Sequence, residues 1–467
     1  MITTDWGPWA LLPLAITLIL AFATRSALVA MLLGTVTGTL MLGQAPGAGL
    51  NELFQAALGN GDFIWICQIV LLIGILFQLF RRAGVLGALA QRFSRAEGSR
   101  RSVEVSAWTM GLIIIDDYFS PLLSGSVLRP MSDRARIPRE KLAFILDSTT
   151  ASVCILVPFT AWGAYVASLI AAQGGPVTSI EQGVSVFIAA IPYNFYPLLM
   201  LLFTLLICLR VIPDFGPMQK AEQRVRETGE LLRPGAKPLS GDEGDDVTAS
   251  DRRKPPSLTF ELLVPVLLLV GVGAATLIIG GSVKIVEAFM LVNVYLFAVL
   301  GVRGEFASVA ELGDVIVAGS KSIMPALLIV ALAYALNAVT SELNAAGYII
   351  AQFASDLTPN TLVALTFGMA AVISFSTGTS WGAYALMMPV ALPVAFEFSG
   401  GELTPLVYQT VAAVAGGGIF GDHSSPVSDT SVLASVGAGS DHIDHVVTQL
   451  PYAVLVAVVT TGLYLLI

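Results

Sequence analysis

Gly111-Leu112-Ile113-Ile114-Ile115-Asp116-Asp117-Tyr118-Phe119-Ser120-Pro121 runs an apolar segment straight into two adjacent carboxylates and a proline. The surrounding stretch, 102 to 130, is apolar, yet six Arg in 81–101 and five Lys or Arg in 129–141 flank it. Basic loops stay in the cytoplasm, so a segment with one at each end enters the bilayer and returns. Its first arm, Val103 to Ile115, has 13 residues, about 20 Å of helix against a hydrocarbon core of about 30 Å. Asp116 to Pro121 is then the buried tip of a re-entrant hairpin.

The chain has 467 residues, 55% apolar and 12% charged, with a mean hydropathy of +0.80. That composition marks an integral membrane protein and argues against nucleic-acid binding, a disulfide scaffold or a disordered chain. The formal charge of −9 is uneven, with 21 Lys/Arg and 20 Asp/Glu in residues 1–257 but 3 and 13 in 258–467. Cys67, Cys154 and Cys208 lie in apolar runs without metal spacing and read as packing residues. Apolar runs mark ten spans, near 9–24, 26–43, 62–80, 142–171, 186–209, 258–280, 284–302, 320–340, 404–436 and 446–467. The first follows Met1 to Asp5 without a basic n-region, which argues against a cleaved signal. Nine Lys or Arg fall in the hydrophilic stretch 210–257, which reads as a flexible cytoplasmic linker and puts both termini outside.

A shift of about 260 residues superposes the two halves. It brings 62–80 near 322–340, 102–130 onto 362–390 and 186–207 onto 446–467, with Gly87 on Gly347 and Phe93 on Phe353. The tip at 116–121 then falls on Ser376-Thr377-Gly378-Thr379-Ser380-Trp381, a polar break in a second hairpin spanning 361–391. Five crossings per half invert the second repeat. The expectation is an all-α membrane protein of about ten transmembrane helices and two re-entrant hairpins in two inverted-topology repeats, 1–209 and 258–467. Paired broken helices in such repeats mark secondary transporters with a midplane site.

Asp116 and Asp117 carry the strongest chemical signal. A carboxylate at bilayer depth costs about 3 kcal/mol on the insertion scale, and no Lys or Arg lies in the nearby apolar sequence. A bound cation, a proton, or both in competition would neutralise the pair; the alternative is a capped half-helix, with Asp117 or Ser120 as cap. The second constellation is Gly416-Gly-Gly-Ile-Phe-Gly421-Asp422-His423-Ser424-Ser425-Pro426-Val427-Ser428-Asp429-Thr430. It reads as a helix that unwinds at its glycines and restarts, or else as a surface loop. Asp422, Ser424, Ser425, Asp429 and Thr430 offer oxygens for a small hard cation, and His423 a titratable ring. Thr160, in the broken partner segment 157–165, and Ser376, Thr377, Thr379 and Ser380 are supporting ligands. Asp147 reads equally as a pathway residue or an N-terminal stabiliser. Trp-Gly-Ala-Tyr occurs at 162–165 and again at 381–384, with Trp162 and Trp381 read as packing aromatics at helix restarts. Asp441-His442-Ile443-Asp444-His445 reads as a polar, pH-sensing turn rather than a transition-metal site.

Gly421 to Thr430, Ser440 to His445, Thr448-Gln449-Leu450-Pro451-Tyr452, Asp116-Asp117-Tyr118, Ser120-Pro121, Trp162 to Tyr165 and Ile191 to Tyr196 together resemble the NhaC-type sodium/proton antiporter family. The resemblance covers nearly the whole chain outside the linker. It implies exchange of Na⁺ for H⁺ across a prokaryotic plasma membrane, without a cofactor, by a homodimer with scaffold and transport domains. The expected ion- and proton-binding residues are Asp116, Asp117, Asp422, His423 and Asp429. The family also includes proteins resembling a malate/lactate exchanger, so a Na⁺- or H⁺-coupled carrier of a small organic anion or amino acid is the alternative. A membrane-embedded hydrolase using Asp116/Asp117 or Asp422/His423 is a third, weaker reading.

Overall fold

The computed structural model describes residues 6–24, 27–44, 46–59, 61–85, 88, 99–115, 117, 119–158, 160–238, 255–280, 284–322, 324–345, 348, 358–426 and 428–467. Every described element is helical. Gly87, Phe93, Asp116, Gly347 and Phe353 lie outside the described residues.

Among the described residues, five helices are long and apolar enough to cross a membrane, and two bent pairs bring that to seven. The bent pairs are Arg139–Leu156 with Ala161–Ala172, at 47°, and Ile180–Tyr193 with Phe195–Cys208, at 46°. The expected spans at 9–24, 26–43 and 258–280 correspond to shorter helices, Leu12–Thr24, Ala27–Met41 and Val264–Gly280. Pro46–Leu58 is a further helix, lying between two of the expected spans.

Both hairpins form. The first pairs Arg100–Ile113 with Phe119–Arg134, and the second pairs Pro359–Thr377 with Ser380–Phe398. The arms of the second have 19 residues each, about 28 Å at 1.5 Å per residue. Unlike the first pair, they are therefore long enough to cross. Their turn is made by Gly378, whose φ of 70° gives the left-handed cap that a helix C-terminus favours. Thr358 and Thr361 cap the start reciprocally, with Pro359 in the first turn.

Each hairpin embraces one half of a broken helix. Glu104 sits 3.5 Å from Lys141 and Gly111 lies against Thr149, so the first arm runs parallel to Arg139–Leu156. The second arm leads into that helix and runs antiparallel to it. In the second half, Gly417 meets Phe367 and Ala370 while Gly421 meets Ser374 and Phe375, which makes Pro359–Thr377 parallel to Pro405–Ser424. Ser380 meets Asp422 and Tyr384 meets Gly418, so the other arm is antiparallel.

Beyond each break the chain crosses to the opposite hairpin. Ala161–Ala172 packs on Ser380–Phe398, and Asp429–Ala438 packs on Phe119–Arg134. There the backbones of Gly125 and Gly437 nearly touch, since a Cβ on Gly125 would lie 2.4 Å from the Gly437 carbonyl carbon. Around this centre, Gly61–Ala83 packs on Ile285–Val302 and Val309–Ser322, and Ala27–Met41 on Met324–Glu342.

The linker departs from expectation over its first part. Gly216–Thr228 is a helix with Met218, Ala221, Glu222 and Val225 buried, rather than a loose tether. Lys141 anchors it, with Nζ 2.8 Å from Asp214, 3.2 Å from Glu222 and 3.5 Å from Glu104. Arg100 pairs with Glu222, and Arg224 reaches Glu140 at 3.0 Å. Lys141, Glu104, Glu140 and Glu222 are buried, so each charge depends on its partners. Removing one partner of such a set costs about 3–5 kcal/mol. Lys141→Met should lower the thermal midpoint of the purified protein and release the linker helix to proteolysis.

Asp441 holds the linker from the other side. Its carboxylate accepts from the amides of Ile443, Asp444 and Lys237 at 2.9, 3.1 and 2.8 Å. Burial alone would raise its proton affinity, but these donors and Arg233 hold its pKa below the ordinary 3.8. A carboxyl whose folded-state pKa is depressed stabilises the fold above its unfolded value and loses that contribution as pH falls through the folded one. The difference in melting temperature between wild type and Asp441→Asn should be full near neutrality and close below about pH 4.

Candidate functional site

Prolines set both breaks. Steric conflict with a proline ring pushes the preceding residue out of helical conformation. Val157 before Pro158 and Ser425 before Pro426 are accordingly extended, with φ, ψ of −96°, 116° and −81°, 138°. The helix restarts at Ala161, where Thr160 accepts from the Gly163 amide at 3.1 Å and donates to the Cys154 carbonyl at 2.9 Å. Thr160 thus serves as a cap. The glycine-rich run, by contrast, does not unwind. Pro405–Ser424 is helical throughout, and its glycines serve close packing, since a Cβ on Gly421 would lie 2.1 Å from the Phe375 amide nitrogen. Small residues four apart let helices approach in the way membrane interfaces favour.

That close approach brings the tip of the second hairpin to Asp422. The Ser380 amide, at the start of Ser380–Phe398, donates to Asp422 Oδ1 at 3.3 Å, and the Thr430 hydroxyl donates to Oδ2 at 3.4 Å. The carboxylate is buried and faces the positive end of a helix. Tyr384, one turn further along the same arm, lies within electrostatic reach of both Asp422 and Asp117. Asp117 is buried as well.

The other expected ligands divide. Ser424 donates to the Phe420 carbonyl of its own helix at 2.5 Å, and Ser425 donates to the Phe375 carbonyl at 2.6 Å, which fastens the break to the hairpin. Thr377 donates to the Ile373 carbonyl at 2.9 Å. Ser376 and Thr379 are half-buried. Ser120 is buried and takes a 3.4 Å contact from the Thr150 hydroxyl. Asp429 begins the restarted helix. His423 turns to Tyr196, whose hydroxyl is 2.7 Å from Nε2.

Asp147 lies in the third turn of Arg139–Leu156, too deep to stabilise the N-terminus. It accepts from Ser431 at 2.8 Å and from Gln449 Nε2 at 3.1 Å, with His445 Nε2 3.6 Å away. The sequence alone gives Ser431 and Gln449 no role and puts His445 in a polar turn between the last two spans. A Gln and a His one turn apart at the head of an apolar span were the available signal. The two Trp-Gly-Ala-Tyr motifs meet: Tyr165 stacks on Trp381 at 4.5 Å, and Trp162 lies 5.9 Å from Trp381 and from Tyr384.

The model of the Na⁺/H⁺ antiporter family matches residues 153–467, which take in both restarted half-helices, the second hairpin and Asp422. An uncharacterized protein of Haemophilus influenzae is 30% identical over 98% of this chain and 90% of its own length. The chain belongs to the Na⁺/H⁺ antiporter family. It is therefore a transport protein and not an enzyme. A "Malate-2H(+)/Na(+)-lactate antiporter" of Bacillus subtilis is 28% identical over 38% of this chain and 37% of its own. MtrF of Neisseria gonorrhoeae, described as one of a class of antimetabolite efflux pumps, shares the fold at a TM-score of 0.58. It is 14% identical and the match covers 89% of this chain and 82% of that one.

Gly421→Ala tests the approach that forms the site. Because the neighbour is backbone, the helices must part, at a cost of about 1–3 kcal/mol. A lower melting temperature, read by scanning calorimetry, is the expected outcome.

Proposed function

We propose that this protein exchanges Na⁺ for H⁺ across a prokaryotic plasma membrane by alternating access. The observation that carries the reading is Asp422: a buried carboxylate at a helix break, met by a hairpin-tip amide and a threonine hydroxyl. Family membership supports it. Oxygen ligands at a break in helical backbone are what a small hard cation requires, and unwound helices in membrane transporters are tolerated where they line such sites. In this reading Asp422, Asp117 and Thr430 hold the cation, Tyr384 orders the space between the acids, and Asp116 and Asp429 contribute charge. Only loaded states reorient, so the proton gradient drives Na⁺ outward.

The proposal includes two inverted repeats and a homodimer. The matching order of parallel and antiparallel packing in the two halves supports the repeats. The Bacillus subtilis relative favours a second reading, in which an organic anion travels with the ion.

Proteoliposomes with an imposed pH gradient and an internal pH reporter test both. Na⁺ alone is expected to dissipate the gradient in wild type. Asp422→Asn removes a charged ligand, and a loss of about 1.4 kcal/mol or more raises the Na⁺ concentration for half-maximal rate at least tenfold. Asp117→Asn should act in the same direction. Full exchange in both variants would remove the site assignment, and gradient loss that awaits added malate or lactate would favour the organic-anion carrier.

A further inference from the structure

A second set of titratable groups lies behind the break. Asp147, His445 and Gln449 are all buried. Gln449 orders them, because its Nε2 donates to Asp147 at 3.1 Å and also to the His423 carbonyl, leaving Oε1 to face His445 Nε2 at 2.9 Å. An amide oxygen only accepts, so neutral His445 carries its hydrogen on Nε2. Its Nδ1 faces the Ser435 hydroxyl at 2.9 Å. The same hydroxyl lies 3.1 Å from Nδ1 of His442, whose Nε2 faces the Pro426 carbonyl at 2.9 Å and is protonated for the same reason. His442 is only half-buried, so it reaches towards solvent.

Counting hydrogens then decides what the set can do. Two neutral rings present two Nδ1 lone pairs to one hydroxyl, which has a single hydrogen and a further acceptor, the Ser431 carbonyl at 2.8 Å. At least one ring contact stays unmade. One added proton completes both: the charged ring donates Nδ1–H to Ser435 Oγ, and Ser435 donates to Nδ1 of the other ring. The network is built to hold one extra proton and to pass it between rings.

We propose that His442, Ser435 and His445 form a proton wire from the basic face of the protein to Asp147, the proton-carrying carboxylate of the exchange. This rests on the exchange reading above and separates the proton from the cation held at Asp422. In the transfer, the His442 Nδ1–H bond breaks as a proton forms a bond to Ser435 Oγ. The original Ser435 O–H proton moves to His445 Nδ1, and the positive charge moves with it from ring to ring. His445 then gives its Nε2 proton to Asp147 Oδ2 across the 3.6 Å gap, neutralising both. The transfer leaves neutral His445 with its hydrogen on Nδ1; return of the proton from Asp147 to Nε2 runs the same steps in reverse and restores the first tautomer. Next to this set, Gln449 holds the His423 carbonyl and Tyr196 meets the His423 ring at 2.7 Å. At the turn, Arg129 and Arg139 reach Gly439, and Asp441 and Asp444 flank His442.

Two fluxes measured on the same reconstituted protein test the wire: the internal pH change driven by a Na⁺ gradient, and ²²Na⁺/Na⁺ counterflow at equal pH, which needs no proton. Loss of a positioned proton-transfer group slows transfer by about 100-fold or more, so Ser435→Ala and His442→Ala should slow the pH change steeply and leave counterflow intact. Imidazole in the medium should restore the pH change in His442→Ala, an outcome a structural role would not produce. Unchanged pH flux in both variants would refute the wire, as would a parallel fall of both fluxes without imidazole rescue. Wild type without any Na⁺-driven pH change would instead remove the exchange reading itself.

Discussion

A carboxylate buried at membrane depth must find its donors in the protein, and the way Asp422 finds them organises the centre of this molecule. Side-chain cations are scarce in the second half, where only Lys284, Arg303 and Lys321 occur. The donors are instead a backbone amide and a hydroxyl made available by interrupting helices. An interruption exposes unpaired backbone groups, which hydrocarbon does not tolerate. The breaks are therefore enclosed by helical hairpins, and the turn of the second supplies an amide to Asp422. Hairpin, break and acid form one requirement.

Close helix contact makes that enclosure possible. Gly417 and Gly421 bring Pro405–Ser424 against one arm of its hairpin, and Gly418 admits the Tyr384 ring from the other arm. Ser374, Ser425 and Tyr384 then bond to backbone carbonyls across these contacts, at 2.6, 2.6 and 3.1 Å. Each hairpin also carries the restarted half-helix of the opposite half. The Trp162, Tyr165, Trp381 and Tyr384 cluster on one side and the Gly125–Gly437 contact on the other join the two halves. A displacement of either hairpin must therefore move a half-helix from each side of the sequence.

Much of this was readable beforehand, and the misses have physical causes. Pro158 and Pro426 act on the residue before them whatever the tertiary context, so both breaks were legible. Basic residues on either side of 102–130 constrained the first hairpin in the same way. Gly416 to Gly421 misled because a low helix propensity and a need for close contact leave the same residue type behind. The composition of Gly216–Thr228 reads as a tether, although Met218, Ala221 and Val225 recur at helical spacing; ion pairs from distant segments hold that helix in place. Asp147 was undecidable for a related reason: its partners lie at 431, 445 and 449.

Those distant partners also bear on coupling. Ser431 touches the Asp147 carboxylate at 2.8 Å and the Asp422 carbonyl at 3.3 Å, while Gln449 joins Asp147 to the His423 carbonyl. The acid assigned to the proton and the backbone of the acid assigned to the cation thus share two neutral bridging side chains. When Asp147 is protonated its carboxyl becomes a donor as well as an acceptor, and both bridges must rearrange. Because each bridge ends on a carbonyl beside Asp422, that rearrangement changes the geometry offered to a cation. Coupling of this kind is reciprocal: a cation that holds 422 and 423 in place disfavours the proton at Asp147 by the same free energy with which the proton disfavours the cation. Competition between the two ions then needs no shared carboxylate, only a shared stretch of backbone at the break.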